Sequence, residues 1–260
     1  MEGKNPLEKS LWDLNLKSKL FNDFKIENFR ESQKCNDLLG VWGIKDNSSR
    51  YYKALMYEFA FYLENLLSTQ KKENLIEILE KIDNQNLGNP STIKYYGKNI
   101  SLDYILAIEE ISFCDKVLQS SEIICEIGAG FGRTCHSILS IYKIKKYIII
   151  DIPEILNLSK LFLKKVLDKE NFKKIIFVDA KDYKSVKKTD LVINIDSLQE
   201  IPSEKAFEYL NWISDNAKYF FSKNAMGKYD PNDIDLEIRK TNEYEAALQM
   251  GIMQNKYKLY

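Results

Sequence analysis

Cysteine is scarce: four residues, at 35, 114, 125 and 135, with no C-x-x-C spacing among them. A disulfide scaffold or a zinc site is therefore not expected. Histidine is scarcer still, since His136 is the only one, so chemistry that needs an imidazole has a single place to find it. No apolar run approaches the roughly 20 residues that cross a bilayer, and Met1-Glu2-Gly3-Lys4-Asn5 lacks the apolar stretch of a secretory signal. The expected location is the cytoplasm, with reduced thiols and no membrane span. Net charge is absent as well: 38 Lys and Arg balance 38 Asp and Glu, so no overall field draws the chain to nucleic acid or anionic lipid, and neither partner is expected. The basic clusters at 143–146 and 187–188 read as solvated faces.

What is present is the composition of a folded chain. Its 45% apolar content argues against disorder except at the ends, and 260 residues suffice for one large α/β domain with a helical companion. Residues 1–120 read as helical. Tyr52, Leu55, Met56, Phe59, Leu63, Leu66 and Leu67 recur at three-four spacing, as do Leu75, Ile78, Leu79 and Ile82. Residues 84–90 form a loop, and Ser101 stands as N-cap to a third helix running to about Leu118.

From Ser121 the pattern changes to short apolar runs alternating with helical stretches, the signature of β-α-β units. Strands are expected at 123–127, 147–150, 174–178, 191–195 and 219–222, with helices at 132–142, 153–167 and 203–216. Right-handed crossovers place those helices on both faces of a parallel sheet. Asp230-Pro231-Asn232-Asp233 reads as a turn, and the last thirty residues hold only a weak candidate for a closing hairpin.

Glu126-Ile127-Gly128-Ala129-Gly130-Phe131-Gly132 stands directly between a strand and a helix. Gly128 and Gly130 let the chain turn tightly and bring backbone N–H groups to a ligand, while Gly132 opens a helix whose N-terminal dipole faces the same crevice. A nucleoside-bearing cofactor fits there. The next strand ends at Asp151, 23 residues after Gly128, where a carboxylate can accept from both hydroxyls of a ribose. That spacing serves NAD and S-adenosylmethionine equally. The glycine pattern separates them: a dehydrogenase fingerprint places a third glycine where this chain has Arg133.

Glu126, two residues before the first glycine, resembles motif I of the class I S-adenosylmethionine-dependent methyltransferases, and Asp151-Ile152-Pro153-Glu154 resembles the D-[IL]-P element of several O-methyltransferase families. Asn194-Ile195-Asp196-Ser197-Leu198-Gln199-Glu200-Ile201-Pro202 and the Gly88-Asn89-Pro90 turn resemble, more particularly, the sugar O-methyltransferases of bacterial surface-polysaccharide (capsule) clusters. The resemblance spans residues 85–225. It implies an α/β, Rossmann-like class I methyltransferase fold with a mostly parallel sheet, a helical N-terminal region (1–120) serving as substrate lid or oligomerisation surface, and a cofactor domain (121–260). It implies S-adenosyl-L-methionine as cofactor, with Glu126 beside its amino-acid end, Asp151 on the ribose, and Asp179 and Ala180 at the adenine. With Gly128, Ala129, Gly130, Gly132, Ile152 and Asn194, these are the expected cofactor contacts.

An in-line methyl transfer depends first on alignment. A sugar hydroxyl also needs a base within hydrogen-bond reach. Asp196 and Glu200 are the candidates, Asp196 slightly favoured, with Gln199 between them, because ligands sit at the C-terminal edge of such a sheet. The plainer role for Asp196, Ser197 and Glu200 is turn and helix capping. His136, four residues into its helix, is read as packed or exposed rather than catalytic. Mg²⁺ could be held by Asp179, Asp182, Asp190 or Asp196, but nothing in the spacing demands a metal. Tyr51-Tyr52 and Tyr95-Tyr96 are candidates for a lid over a sugar or nucleotide-sugar substrate, or for core packing. A homo-oligomer is allowed. An amine or phenol acceptor, and a non-catalytic cofactor-binding module, remain open as alternatives.

Overall fold

The computed structural model describes residues 25–31, 50–70, 74–224, 251–254 and 258–259. Cys35, the side chains of Tyr51 and Tyr52, and the turn at 230–233 lie outside the described residues. Chain order runs α1 (Arg50–Gln70), α2 (Leu75–Leu79), β1 (Thr92–Tyr95), β2 (Lys98–Ser101), α3 (Leu102–Phe113), α4 (Asp115–Ser120), β3 (Ile123–Ile127), α5 (Arg133–Ile141) and β4 (Lys146–Asp151). Next come α6 (Pro153–Val166), α7 (Lys169–Lys173), β5 (Ile175–Asp179), β6 (Thr189–Ile195), α8 (Ser203–Asn216), β7 (Ala217–Lys223), β8 (Gly251–Gln254) and β9 (Lys258–Leu259).

The larger sheet has the order β5-β4-β3-β6-β7-β8-β9. Its first five strands are parallel, and β8 and β9 add antiparallel at one edge. This is a Rossmann-like α/β architecture with helices on both faces of a mostly parallel sheet. Because the chain leaves β3 toward β4 and later returns to its other side as β6, a crevice opens at the C-terminal ends of β3 and β6.

Period-two alternation sorts the strand side chains between two cores. Ile124, Tyr147, Ile149, Leu191, Ile193 and Phe221 face one core, closed by Ile138, Phe162 and Leu163 of α5 and α6. Cys125, Ile148, Ile150, Val192 and Phe220 face the other, closed by Tyr209, Trp212 and Ile213 of α8. Helices thus cover both faces, which is why the strands read as nearly unbroken apolar runs. The first core continues into Met56, Ala60, Leu63 and Leu67 of α1 and into α3, so the N-terminal helices share one interior with the sheet.

The reading of residues 1–120 as helical needs correction at 92–101, which form an antiparallel hairpin. Tyr96 and Gly97, both at positive φ, make the two-residue turn that matches strand twist. Only Ile93 and Ile100 of the hairpin are apolar and buried, too few for the sequence to announce a strand. The third helix is also two, interrupted at Cys114. Ser101 does precede α3, yet makes no side-chain cap; its Oγ instead accepts from the Arg30 guanidinium at 3.2 Å. Among the described residues no helix is long and apolar enough to cross a membrane.

Candidate functional site

The crevice is lined by the glycine turn at 127–131, by Glu126, by Asp151 and Ile152 at the end of β4, by Ala180 after β5, and by Asp196, Ser197 and Glu200 after β6. These come from four strand ends that the sheet order sets side by side. The three glycines differ in what they face. A Cβ on Gly128 would collide with the Ser197 side chain, and one on Gly132 would stand 2.8 Å from Leu163 of α6. At Gly130, with φ of +56°, a Cβ would meet nothing within 4 Å. Gly128 and Gly132 are therefore required by packing, whereas Gly130 leaves a bare stretch of backbone for a ligand to approach.

Asp151 closes the turn from the neighbouring strand. Its carboxylate accepts from the Ile152 backbone N–H at 2.8 Å and from the Gly130 N–H at 3.3 Å. Burial pushes its pKa up to about 7, against the pull of the Ile152, Gly130 and Ala129 amides, and the Glu200 carboxylate adds to the rise. Glu126 is buried below the turn, where Tyr147 donates its hydroxyl at 2.8 Å. Desolvation lifts this carboxyl to about 7 as well, with Tyr147, Arg133 and Thr134 opposing.

Of the expected contacts, Glu126, Gly128, Ala129, Gly130, Asp151, Ile152, Ala180, Asp196 and Glu200 are brought together here. Gly132, Asp179 and Asn194 are not among the lining residues. Asp179 caps the turn that follows it, accepting from the Lys181 backbone N–H at 3.0 Å and pairing with the Lys181 ammonium at 3.0 Å. Asn194 is buried and bonded to neighbouring loops. Gln199 lies on a short helical turn, Leu198–Glu200, its side chain outside the described residues. Asp190 sits at the other end of the sheet, accepting from the Glu122 and Ile123 amides.

Asp196 stands at the mouth with a left-handed φ of +58°, its backbone N–H donating to the Lys223 carbonyl at 2.8 Å. The plainer capping role fits poorly with Ser197, whose Oγ makes no cap and instead donates to the Ile127 carbonyl at 3.2 Å. His136 is fully buried, with Nδ1 2.6 Å from the Tyr104 hydroxyl. Burial pushes its pKa down to about 3, so it stays neutral inside the core; of the packed and exposed positions its helix left open, it takes the packed one.

The charged wall opposite the glycine turn was almost invisible to sequence reasoning. Arg133 pairs with Glu110 of α3 at 2.6 Å and donates to the Asp103 carbonyl at 3.2 Å. Glu110 also pairs with Lys223 at 3.0 Å, and Glu109 joins at 3.2 Å. Asp103 is held by Arg30 at 2.6 Å. Burial disfavours the Lys223 ammonium and the Arg133 guanidinium, but the neighbouring carboxylates outweigh it and hold both pKa values above their usual ones. Arg133, Glu110, Asp103 and Lys223 all line the crevice. Arg133 in place of a third glycine was the one available hint.

No protein-family model matches the chain, and no curated protein does. Among solved structures it is similar to the methyltransferase domain of bacterial CtHen1, at 12% identity over 58% of this chain and 92% of that one, with a TM-score of 0.42. It is similar to the glycopeptide N-methyltransferase MtfA, solved with S-adenosyl-L-methionine, at 15% identity over 44% of this chain and 48% of that one, TM-score 0.38. An O-methyltransferase family protein from Burkholderia thailandensis gives 11% identity, 61% and 48% coverage, and a TM-score of 0.39. Likenesses of this order say nothing about the acceptor.

Proposed function

We propose that the protein is an S-adenosylmethionine-dependent O-methyltransferase acting on a sugar hydroxyl, of a nucleotide-activated sugar or a glycan. The observation that carries the cofactor half is the bare Gly130 backbone beside the Asp151 carboxylate, at the point where the sheet order reverses. The group fits this cradle: a glycine turn without side chains, a carboxylate suited to ribose hydroxyls, and the apolar Ile152 and Ala180 beside them. When bound, S-adenosylmethionine supplies a methyl group on a sulfonium, already attached to a good leaving group.

The chain's own residues then have distinct tasks. Asp151 and the glycine-turn amides orient the adenosyl portion, while Glu126 and Arg133 offer opposite charges to the amino-acid end. Asp196 accepts the proton of the acceptor hydroxyl as the new bond forms, and Glu200 is the second carboxylate within the same mouth. α3 forms the other wall through Asp103, Leu106 and Glu110, and the N-terminal region, 1–120, is assigned the role of substrate cover. The sugar rests on the resemblance of residues 194–202 to the polysaccharide-cluster enzymes.

Calorimetry with S-adenosylmethionine and S-adenosylhomocysteine tests the cofactor half; no heat of binding at millimolar ligand defeats it. A mass-spectrometric screen of nucleotide sugars for the gain of one CH₂ unit tests the acceptor. Transfer to amines or phenols with none to sugars would replace the sugar reading.

A further inference from the structure

The side chain of Asn194, just beneath the crevice, is fully buried and does not line it. Its Nδ2 donates to the Ile127 carbonyl at 2.9 Å and to Ser197 Oγ at 2.5 Å. Its Oδ1 accepts from the Leu198 backbone N–H at 3.3 Å and from Asn224 Nδ2 at 2.8 Å. All four hydrogen-bonding places of a primary amide are filled. The partners belong to three separate pieces of chain: the end of β3 where the glycine turn begins, the loop after β6, and the residue following β7.

Asp196 lies inside the span so fastened. A left-handed conformation at a non-glycine residue persists only where its surroundings hold it, and here the holding groups can be named. Ser197 is tied to Ile127 both directly, at 3.2 Å, and through Asn194. Leu198 is tied to Asn194 and to Asn224 Oδ1 at 3.2 Å. Asp196 itself is tied to the Lys223 carbonyl. Gly128 lets Ser197 approach, since any Cβ there would strike it.

We infer that Asn194 is a positioning residue whose amide fastens the Asp196 loop to the glycine turn, so that a ligand gripped by the turn also fixes the place of the Asp196 carboxylate. This rests on reading the crevice as an adenosyl site. An aspartate of the same shape would test it: Asn194→Asp keeps the acceptors, loses both donors, and sets a carboxylate oxygen against the Ile127 carbonyl. Asn224→Ala is the milder partner variant, removing one donor to Oδ1 and one acceptor for Leu198.

The measurement is hydrogen exchange by mass spectrometry on peptides covering 126–132 and 193–200, with and without saturating S-adenosylhomocysteine, alongside calorimetry. In the wild type both peptides slow on binding. In Asn194→Asp the affinity changes by less than threefold and 126–132 still slows, but 193–200 no longer does; Asn224→Ala falls between. Equal ligand protection of 193–200 in wild type and variants overturns the inference, as does an affinity loss as large as the loss of protection. If Asn194→Asp does not fold, Asn224→Ala alone decides on the same readout. If the wild type binds no S-adenosylhomocysteine, the methyltransferase reading fails separately. The fastening is then judged without ligand: exchange of 193–200 at least tenfold faster in Asn224→Ala, with 203–216 unchanged, supports it, and equal exchange overturns it.

Discussion

The Asp151 carboxylate accepts the Gly130 backbone N–H at 3.3 Å, joining the end of β4 to the turn that leaves β3. Two residues 21 apart in sequence thereby form one edge of the crevice. The ribose role proposed for Asp151 requires its ionised form, and burial has moved its pKa to about 7.

Ligand affinity should therefore depend on pH. Between pH 8 and 6 the ionised fraction of a group titrating near 7 falls about tenfold, so the dissociation constant for S-adenosylhomocysteine should weaken by about that factor, read by calorimetry. The ligand-free protein follows the opposite sign. An acid whose folded pKa is raised contributes stability below its unfolded value, near 4, and that contribution is lost as pH rises through 7. Asp151→Asn should accordingly gain thermal stability relative to wild type from pH 5 to pH 8, while its affinity becomes weak and keeps only the pH dependence that Glu126, also near 7, contributes. A variant–wild-type difference that does not change with pH would contradict this.

Alanine at two glycines of the turn, Gly132 and Gly130, should give separable outcomes. Gly132→Ala meets Leu163 and holds a positive φ, so it should cost about 2 kcal/mol and lower the melting temperature by roughly 5 °C. Gly130→Ala meets no atom and should cost about 1 kcal/mol, yet weaken S-adenosylhomocysteine binding at least tenfold by filling the bare face. Thermal denaturation and calorimetry on the same samples would separate the two, and unchanged binding in Gly130→Ala would remove that face from the site.

Glu110 serves two buried cations, Arg133 and Lys223. Glu110→Gln leaves both short of a partner and should destabilise by about 3 kcal/mol. Adding Lys223→Gln should recover part of the loss, because the two sites share one network. Chemical denaturation of the two single variants and the double variant measures the coupling, and strict additivity would mean the pair is independent.

Asp196→Asn tests the proposed base. Methyl transfer to the acceptor found by the sugar screen should fall at least a hundredfold, with S-adenosylmethionine affinity within about threefold of wild type. Retained turnover would return Asp196 to a turn-forming role and point to Glu200.

Much of this was legible in the chain itself. The five parallel strands and the three helices at 133–141, 153–166 and 203–216 lie within a residue or two of where apolar periodicity places them. Short unbroken apolar runs, regularly separated by amphipathic helical stretches, leave little ambiguity. The β1–β2 hairpin was not legible, because two buried isoleucines and a Tyr-Gly turn carry too weak a pattern. Capping misled for a different reason. Ser101 and Ser197 occupy cap positions, but a guanidinium and a carbonyl from distant segments claimed their hydroxyls.

Local order in the sequence determined the strands, the glycine turn and the acid closing the next strand, because hydrogen-bonding geometry and side-chain period act over a few residues. Only the tertiary structure decided which glycine faces open space, that Asn194 fastens loops rather than lining the crevice, and that Arg133, Glu110 and Lys223 build a common wall. Those outcomes depend on atoms brought together from positions up to 113 residues apart, where burial makes each polar group find whichever partner the packing supplies.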